Sequence, residues 1–482
     1  MPAGSIKKNY IYNVSFQIFS LIIPFITAPY IARTLGAEGE GTYVFVNSIA
    51  TFFSLVAALG ISSYGMREVS RARSNRLMAS RLFWELSIIR LVSTVLCLGL
   101  YLVYCIVTKG DMAIYLACGL TILSVGVDCT WFFQAMENFR TLMLRNFAVK
   151  VTSVLLIFLF VRNREDLLLY ALIQGGGIFL SNILLLGGLL RQVRFIPLQR
   201  LRFARHIRET LVYFVPTIAT SIYTVLDRAM LGLITQDMAA NGYYERAHKI
   251  INMAMTVITS LNVVVGVRTS YLFAQHKTQE IRHHIYDTFR FMYMVSFPMA
   301  AGLCAVAPTF VPWFYGENSE LVIPLLTLFT PLLFIIGTSN VLGSLYLTPS
   351  GQRARSNRAI ICGAILNLAL NLVLIPLFKV YGAVISSLCA EAVISFLYLR
   401  YSCRFISVYR ILYTGLRYLV LSAIMFVPTY LLGRWLPGGV WTTLLQIAAG
   451  AVVYALCLIV TNDPAWKTLR RNIAEKLGAI KS

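Results

Sequence analysis

Charged residues are scarce in this sequence. They make up 13% of its 482 residues, whereas a soluble domain of ordinary composition carries about 25%. Hydrophobic residues make up 58%, which is more apolar surface than a soluble core can bury. Long apolar stretches such as Ser87–Val107 and Met112–Phe133 lack the two-residue alternation of barrel strands. The composition therefore excludes a soluble globular fold and predicts an all-α integral membrane protein, because helices satisfy their own backbone groups in hydrocarbon.

Sequence motifs that mark catalysis or metal binding are also absent. The chain has no GxxxxGK[ST] phosphate loop, no HExxH pair and no GxSxG nucleophile turn. Its nine cysteines form no CxxC pair and lie within or beside apolar stretches. Neither a zinc site nor a disulfide framework is therefore indicated. The sequence predicts a protein that is not an enzyme, with no catalytic residue, no metal and no cofactor.

Fourteen apolar stretches are long enough to cross a bilayer as helices. The connections between them are too short to hold a separate domain, so the whole chain is expected to be one membrane unit. The predicted spans are 11–34, 43–63, 82–107, 112–133, 144–161, 167–190, 209–233, 243–267, 286–311, 321–346, 359–378, 381–400, 413–433 and 440–461.

The basic residues are unevenly distributed between the two sides of the predicted membrane. Lys and Arg number 42, against 20 Asp and Glu, which gives a formal net charge of +22. Of these 42, 29 lie in alternate segments beginning with the N-terminus, five lie in the other connections and eight lie within spans. No aromatic and basic recognition module accompanies them, so nucleic acid is not an expected partner. Because Lys and Arg concentrate in cytoplasmic loops, both termini are predicted to be cytoplasmic.

Two parts of the sequence repeat each other. Gly41-Thr-Tyr43 opens the second span, and Gly242-Tyr-Tyr244 opens the eighth, 201 residues later. A second pair of matching segments begins at Asn138 and at Gly351, 213 residues apart. Each repeat contains six spans, and an even number gives both repeats the same orientation in the membrane. The prediction is two six-helix lobes in parallel pseudo-repeat with a central cleft, followed by two C-terminal helices.

The predicted boundaries follow from this repeat. They are 1–190 for the N-lobe, 191–208 for a basic cytoplasmic linker, 209–400 for the C-lobe and 401–482 for the two extra helices and a basic cytoplasmic tail. Prolines occur in the first span of each lobe, at Pro24, Pro29 and Pro216. Proline removes a backbone donor and bends a helix, so these positions are predicted gates or hinges. Simple tolerance of proline in membrane helices explains them equally well.

Several segments match a known family of membrane proteins. They are Asn9-Tyr-x-Tyr12-Asn13, Pro29-Tyr-Ile-Ala-Arg33-Thr-Leu-Gly36-x-Glu38-Gly39-x-Gly41-x-Tyr43, Leu59-Gly-Ile61-x-x-Tyr64-Gly65-x-Arg67-Glu68, Asp227-Arg228-x-Met230-Leu231-Gly232, Gly242-Tyr-Tyr-Glu245-Arg246-Ala-x-Lys249-Ile250 and Asn367-x-x-x-Asn371-x-x-x-Ile375-Pro376. In these segments the chain resembles the Wzx-type lipid-linked oligosaccharide flippases of the multidrug/oligosaccharidyl-lipid/polysaccharide exporter superfamily. The match covers most of the chain, and its first 75 residues are the most specific part.

This resemblance implies a function and a location. The family's fold is two six-helix lobes plus two helices, shared with multidrug exporters. Its activity is to carry an undecaprenyl-pyrophosphate-linked oligosaccharide across the bacterial cytoplasmic (inner) membrane. The product feeds surface polysaccharide synthesis, of O-antigen, capsule or exopolysaccharide. The implied partners are that glycolipid, membrane lipids, a polysaccharide polymerase and a chain-length regulator.

Basic residues at bilayer depth are candidates for holding the pyrophosphate of such a substrate. Each costs at least about 2.5 kcal/mol to insert, so an intramembrane charge is a functional candidate by default. Guanidinium groups bind phosphate oxygens through two parallel hydrogen bonds. Internal ion pairing is the alternative, for example between Glu245 and Lys249, which are four residues apart. The predicted pyrophosphate-binding residues are Arg33, Arg90, Arg228, Arg246 and Lys249.

Six acids lie at bilayer depth: Glu85, Asp128, Asp227, Glu245, Asp287 and Glu391. A buried carboxylate can take up a proton or bind sodium, so coupling to a proton or a sodium gradient is the expected energy source. Asp128 is the most isolated from basic residues along the sequence and is the first coupling candidate. Asp227 is the second, and it is also placed to neutralise Arg33 or Arg246. Salt bridges and helix packing are the alternative roles.

Two other functions compete with the flippase. A multidrug or small-solute exporter of the same fold is disfavoured by the basic cluster, because typical drug substrates are cations. A membrane polysaccharide polymerase or ligase would need a large outer loop to hold donor and acceptor. The outer connections here are all short.

Overall fold

The computed structural model describes residues 22–467, apart from 191, 192, 198, 200, 276 and 317. These residues are helical or lie in turns and short connections, and no strand occurs among them. The predicted first span begins outside the described residues, and its described part forms a helix over 22–34 (α1).

The remaining helices follow one another with short connections. In the first half they are α2 Gly36–Ala58, α3 Ile61–Arg71, α4 Arg76–Thr108, α5 Met112–Gly126, α6 Thr130–Ala135, α7 Phe139–Phe160, α8 Leu167–Leu190 and α9 Ala204–Thr235. In the second half they are α10 Met238–Ala274, α11 Thr278–Tyr315, α12 Val322–Phe329, α13 Leu332–Leu342, α14 Arg353–Phe378, α15 Val380–Ser402, α16 Val408–Trp435 and α17 Val440–Val460. A 3₁₀ turn (Arg164–Asp166) precedes α8, and a π-helical turn (Gly343–Leu347) follows α13.

From the second span onward, each predicted span overlaps one of these helices or a consecutive pair of them. Over the described residues, 11 helical segments are long and apolar enough to cross a membrane. The all-helical membrane fold is confirmed, whereas the count of fourteen spans stays a prediction. Several helices are longer than the bilayer requires: α11, with 38 residues, extends about 57 Å at 1.5 Å per residue. Such helices continue beyond the hydrocarbon core, which is about 30 Å thick.

Three of the predicted spans are interrupted along their length. Leu59 and Gly60 both adopt positive φ, 46° and 69°, and separate α2 from α3. Residues 127–129 separate α5 from α6, and Thr330 and Pro331 separate α12 from α13. Interrupted helices leave backbone groups available for side chains or ligands, so these breaks are where polar contacts are expected. By contrast, α1 continues without interruption through Pro29.

The chain divides into two compact units, Met1–Glu245 and Arg246–Ser482. The division lies within α10, whereas the sequence predicts a linker at 191–208, and the predicted lobe boundaries stay a prediction. One core of the first unit lies where α3, α4 and α6 meet, and the fully buried Trp131 and Phe83 stack there with ring centroids 6.2 Å apart. A second core joins α2, α4 and α5 around Tyr101, Ile122 and Ala50.

Two glycines of the sequence repeat contact each other in the first unit. A Cβ atom on Gly41 would lie 1.7 Å from the carbonyl oxygen of Met238 and 2.7 Å from the nitrogen of Gly242. A Cβ on Gly242 would lie 2.0 Å from the carbonyl oxygen of Ala37. The backbones at the starts of α2 and α10 are therefore in direct contact, and only glycine leaves room for it. The contact therefore joins equivalent positions of the two sequence repeats.

In the second unit the last two helices pack on α11. Gln446 of α17 is fully buried, donates to the carbonyl of Thr429 on α16 at 2.8 Å, and accepts from the hydroxyl of Thr309 on α11. Trp313 donates to Thr443 at 2.8 Å, and Tyr454 donates to the carbonyl of Met294 at 2.9 Å. Hydrogen bonds between helices replace the hydrophobic driving force that lipid cannot supply.

Candidate functional site

Acidic and basic side chains meet at the end of α9 and the start of α10. The Nε of Arg228 lies 2.7 Å from a carboxylate oxygen of Glu245, and both side chains are largely buried. Asp227 is 2% exposed and accepts a hydrogen bond from the hydroxyl of Tyr244 at 3.2 Å. Asn241, fully buried, donates to the carbonyl of Arg228 at 3.0 Å. Asp227 and Arg228 are thus held together, and Glu245 pairs with Arg228 on the neighbouring helix.

A second ionic contact lies at the helix breaks of the first unit. Arg90 is 3% exposed, and its guanidinium lies 3.1 Å from a carboxylate oxygen of Asp128. The same guanidinium donates to the carbonyl of Asp128 at 2.9 Å and to the hydroxyl of Ser62 at 3.0 Å. Asp128 also accepts from the backbone N–H of Thr130 at 2.9 Å, which starts α6. Arg90 therefore joins the interruption in the second span to that in the fourth.

This contact changes the argument for Asp128. Asp128 is isolated from basic residues along the sequence, but in the folded unit Arg90, 38 residues away, is its ion-pair partner. Isolation along the sequence is therefore not isolation in the folded unit, and the role of Asp128 in coupling stays a prediction. Arg90, predicted to bind pyrophosphate, is likewise occupied by a carboxylate in this conformation.

Arg246 and Lys249 belong to the second unit. Arg246 is 2% exposed, and its guanidinium lies 5.6 Å from the centroid of the Tyr315 ring. It also donates to the hydroxyl of Ser319 at 3.3 Å, while the hydroxyl of Tyr315 donates to the carbonyl of Arg246 at 2.9 Å. Lys249 is half-buried. The ring attracts the guanidinium, and guanidinium groups bind anions such as phosphate, so Arg246 stays a predicted phosphate-binding residue.

The other predicted residues lie on α1 and α9. Arg33 is exposed at the end of α1. Near it, the hydroxyl of Tyr30 donates to the carbonyl of Val161 at 2.6 Å, which fixes α1 to the end of α7. Pro24 and Pro29 lie within the helical segment 22–34. Pro216 lies within α9, but its side chain is outside the described ones, and the gate or hinge role of all three prolines stays a prediction.

A further polar network holds the predicted linker against the first unit, and sequence reasoning missed it. His206 is buried between Glu85, at 2.8 Å, and the hydroxyl of Tyr64, at 2.8 Å. Glu85 also accepts from the backbone N–H of Arg202 at 2.7 Å and from Arg81 at 2.9 Å. The only signal in the sequence is a histidine within a strongly basic segment. These contacts therefore hold the C-terminal end of the predicted linker against the first unit.

These contacts fix the positions of charged side chains within the first unit. No group of three or more His, Cys, Asp or Glu side chains able to hold a metal ion occurs among the described residues. In the first unit Arg90 pairs with Asp128 and Arg228 pairs with Glu245, which reduces the cost of burying these four charges. An anion that displaces one carboxylate keeps the guanidinium paired, and the displaced carboxylate must then be hydrated or protonated.

Comparison with known proteins finds one matching family model and two named relatives. A family model described as "Polysaccharide biosynthesis protein" matches residues 6–267. Two relatives carry the name "Putative O-antigen transporter". One, from Shigella dysenteriae, is 25% identical over 394 residues, 80% of this chain and 98% of the relative. The other, from Escherichia coli (strain K12), is 22% identical over 402 residues, 82% of this chain and 96% of the relative.

Solved structures with the same fold come from two kinds of transporter. The lipid II flippase MurJ, in an inward closed conformation, matches with a TM-score of 0.66 at 15% identity, over 94% of this chain and 99% of MurJ. A multidrug resistance MATE family transporter of the MOP superfamily, in an inward-facing conformation, matches with a TM-score of 0.59 at 12% identity, over 84% of this chain and 95% of the transporter. At these identities the matches show the fold alone. The family model, however, covers more than half of the sequence, so the chain belongs to the polysaccharide biosynthesis protein family, and the resemblance to Wzx-type flippases is confirmed.

Proposed function

We propose that this protein is a flippase that moves an undecaprenyl-pyrophosphate-linked oligosaccharide across the bacterial inner membrane by alternating access. The observation that carries the proposal is the presence of buried arginines within predicted spans, in a fold shared with a lipid II flippase. The relatives named as O-antigen transporters support the same class of cargo. The product would pass to a polysaccharide polymerase and a chain-length regulator, as the family resemblance implies.

The chemistry of the headgroup matches the arginines. Pyrophosphate presents several anionic oxygens, and guanidinium binds such oxygens through paired, charge-assisted hydrogen bonds. Arg228 is held by Glu245 at 2.7 Å in this conformation. A pyrophosphate can replace that carboxylate, exchanging one anion for another, so the arginine need never be left as a lone buried charge. In the second unit, Arg246 contacts Tyr315 and Ser319 and is a separate candidate for binding the headgroup.

Export of glycan by a strain that lacks its own flippase tests this function. The intact protein should restore surface polysaccharide, and Arg246→Ala should reduce export while still reaching the membrane. A charge-assisted hydrogen bond contributes about 1.5–3 kcal/mol, so the expected loss in substrate affinity is roughly tenfold to a hundredfold. Arg246→Lys should recover only part of the activity, because lysine keeps the charge but loses the two-pronged geometry.

The matched control is Arg434→Ala, which removes an exposed arginine from a predicted outer connection. It should export normally. Lipid-linked repeat units should accumulate in the cytoplasmic leaflet with Arg246→Ala. Normal export by Arg246→Ala at native expression would contradict the role of this arginine in binding pyrophosphate. Failure of the intact protein to export any lipid-linked glycan, together with efflux of cationic drugs, would instead favour the exporter alternative, whose fold is the same.

A further inference from the structure

Glu391 lies at the centre of a membrane helix. It is 11 residues from either end of α15 (Val380–Ser402), which places it roughly 16 Å from each end at 1.5 Å per residue. This is about the middle of a hydrocarbon core that is about 30 Å thick. The residue is only 7% exposed. A carboxyl group is therefore held where solvation by water is poorest.

The other five acids at bilayer depth all have partners. Asp128 and Glu245 pair with arginines, Asp287 pairs with Arg290, Glu85 contacts His206, and Asp227 accepts from Tyr244. Within the part of the chain that the structure describes, no ion pair or hydrogen bond is made by Glu391. Burying an ionised carboxylate without a partner costs several kcal/mol. The neutral, protonated form avoids this cost.

The surroundings of Glu391 can be located from its neighbours along α15. Ser395, one turn later, donates to the carbonyl of Ile335 on α13 at 2.7 Å. A Cβ atom on Gly343 would lie 3.2 Å from the ring of Tyr398, so α15 and the span containing α13 run in parallel. One turn before Ile335 is Pro331, at the interruption between α12 and α13. Glu391 is thus at the level of a helix break.

Any group other than a proton that compensates a charge on Glu391 would have to lie on α15 or on the helices packed against it. Among the described residues α12 and α13 carry no titratable side chain, and the π-helical turn carries Tyr346. Tyr398, two turns along α15, has an electrostatic interaction with Glu391, but its hydroxyl lies 2.5 Å from Ser356. The remaining titratable groups on α14 and α15 are Arg353, Arg355, Arg358, Cys362, Tyr381, Cys389, Arg400 and Tyr401.

We propose that Glu391 binds a proton in the conformation seen here, releases it in a conformation that hydrates the carboxyl, and so couples transport to protons. This rests on the proposed function, because it requires a transporter that alternates between two states. A group with different proton affinity in two conformations makes their equilibrium depend on pH. Protonation favours the conformation in which Glu391 is buried, so low pH favours this conformation and high pH favours the hydrated one.

The proposal is tested by measuring a distance between the two units of the full-length protein in liposomes. The nine native cysteines are replaced, and spin labels are attached at Ser74→Cys and Arg355→Cys, both exposed positions. The distribution of distances should change between about pH 5 and about pH 9, a range that spans the titration of a buried carboxyl. Glu391→Gln, which mimics the neutral acid, should hold the low-pH distribution throughout this range. Glu391→Asp should keep the response.

Glu320→Gln is the matched control, because it removes an exposed acid and should leave the pH response intact. A pH response that persists unchanged in Glu391→Gln, a pH response absent from the parent protein, or a response to sodium in place of pH would each overturn the proposal. The distance measurement needs no glycolipid. Failure of the parent protein to move lipid-linked glycan would therefore count against the proposed function alone.

In the same liposomes, an imposed pH gradient should change the rate of glycolipid translocation by the parent protein and by Glu320→Gln. Glu391→Gln should lose the response to the gradient while it still binds the glycolipid. Equal responses in all three proteins would overturn the coupling role.

Discussion

Several arginines within the predicted spans have defined contacts. Arg90 and Arg228 contact carboxylates, and Arg246 contacts an aromatic ring and a hydroxyl. A guanidinium paired with a carboxylate can either hold two helices together or exchange the carboxylate for a competing anion. The geometry around Arg90 favours the first role, because Arg90 also bonds the backbone of Asp128 and the hydroxyl of Ser62 across two helix breaks.

A prediction at the scale of residues distinguishes a structural role of Asp128 from a role in coupling transport to an ion gradient. Asp128→Asn should lower the thermal unfolding midpoint of the purified protein, because removing one partner of a buried pair costs roughly 3–5 kcal/mol. Arg90→Met should also be destabilising, and the double variant should lose less than the sum of the two single losses. A change at Glu137, an exposed acid paired with Arg73, should have little effect, since surface ion pairs contribute about 0–1 kcal/mol.

The opposite result would assign Asp128 a role in coupling. If Asp128→Asn kept the unfolding midpoint of the parent protein but abolished the response of transport to pH or sodium, Asp128 would be the coupling group. The ion pair with Arg90 would then be a regulatory contact rather than a support of the fold.

At the scale of helices, close backbone contact and interrupted spans determine how the first unit is built. Gly41 and Gly242 allow α2 and α10 to touch. Leu59 and Gly60, both with positive φ, bend the second span so that α3 can pack on α6. Sequence reasoning looked for bends at prolines, but α1 is uninterrupted through Pro29. Bends made by backbone conformation alone leave a weaker signal in the sequence than proline does.

Gly41→Ala should impair folding, because the added methyl group would overlap the carbonyl of Met238. Overpacking of this kind costs about 1–3 kcal/mol, and more where backbone is the obstacle. The expected result is a lower unfolding midpoint and a lower yield from the membrane, and Gly242→Ala should behave alike. Gly99→Ala is the control, since a Cβ there meets nothing within 4 Å. Wild-type stability of Gly41→Ala would mean that the two helices are not in backbone contact.

At the scale of the whole molecule, the orientation in the membrane rests on the distribution of Lys and Arg. Of the 42 basic residues, 29 lie on one predicted side in the connections and the termini, and five lie on the other. The long α11 (Thr278–Tyr315) and α4 (Arg76–Thr108) each begin within a basic region and extend beyond the hydrocarbon core. Their basic ends are expected to meet the anionic headgroups of the cytoplasmic leaflet.

Reporter fusions test this orientation directly. A fusion after Arg205 and a fusion to the C-terminal tail should both give a cytoplasmic signal, because the positive-inside rule places basic connections there. A tag inserted at Gly316 should be accessible from outside, and a fusion at Lys109 is a second external control. An external signal at the tail would contradict the fourteen-span topology but not the membrane fold.

The sequence by itself determined the class of this protein, the approximate position of each span and the predicted orientation. Each of these depends on local composition: a helix enters a bilayer because of its own hydropathy, and loops are sorted by their own charge. For the same reason the sequence could name the charged residues at bilayer depth, including Arg90, Arg228 and Glu391. It also identified the family, through short motifs that survive at low overall identity.

The tertiary structure decided which of these residues meet. Arg90 pairs with Asp128, 38 residues away, so the isolation of Asp128 along the sequence was no guide to its surroundings. Glu391, by contrast, received no role from its sequence neighbours, yet it has no partner among the described residues. Contacts between helices depend on side-chain shape, crossing geometry and close approach at small residues. Hydropathy and charge counts carry little of that information, which is why span positions follow from the sequence and ion-pair partners do not.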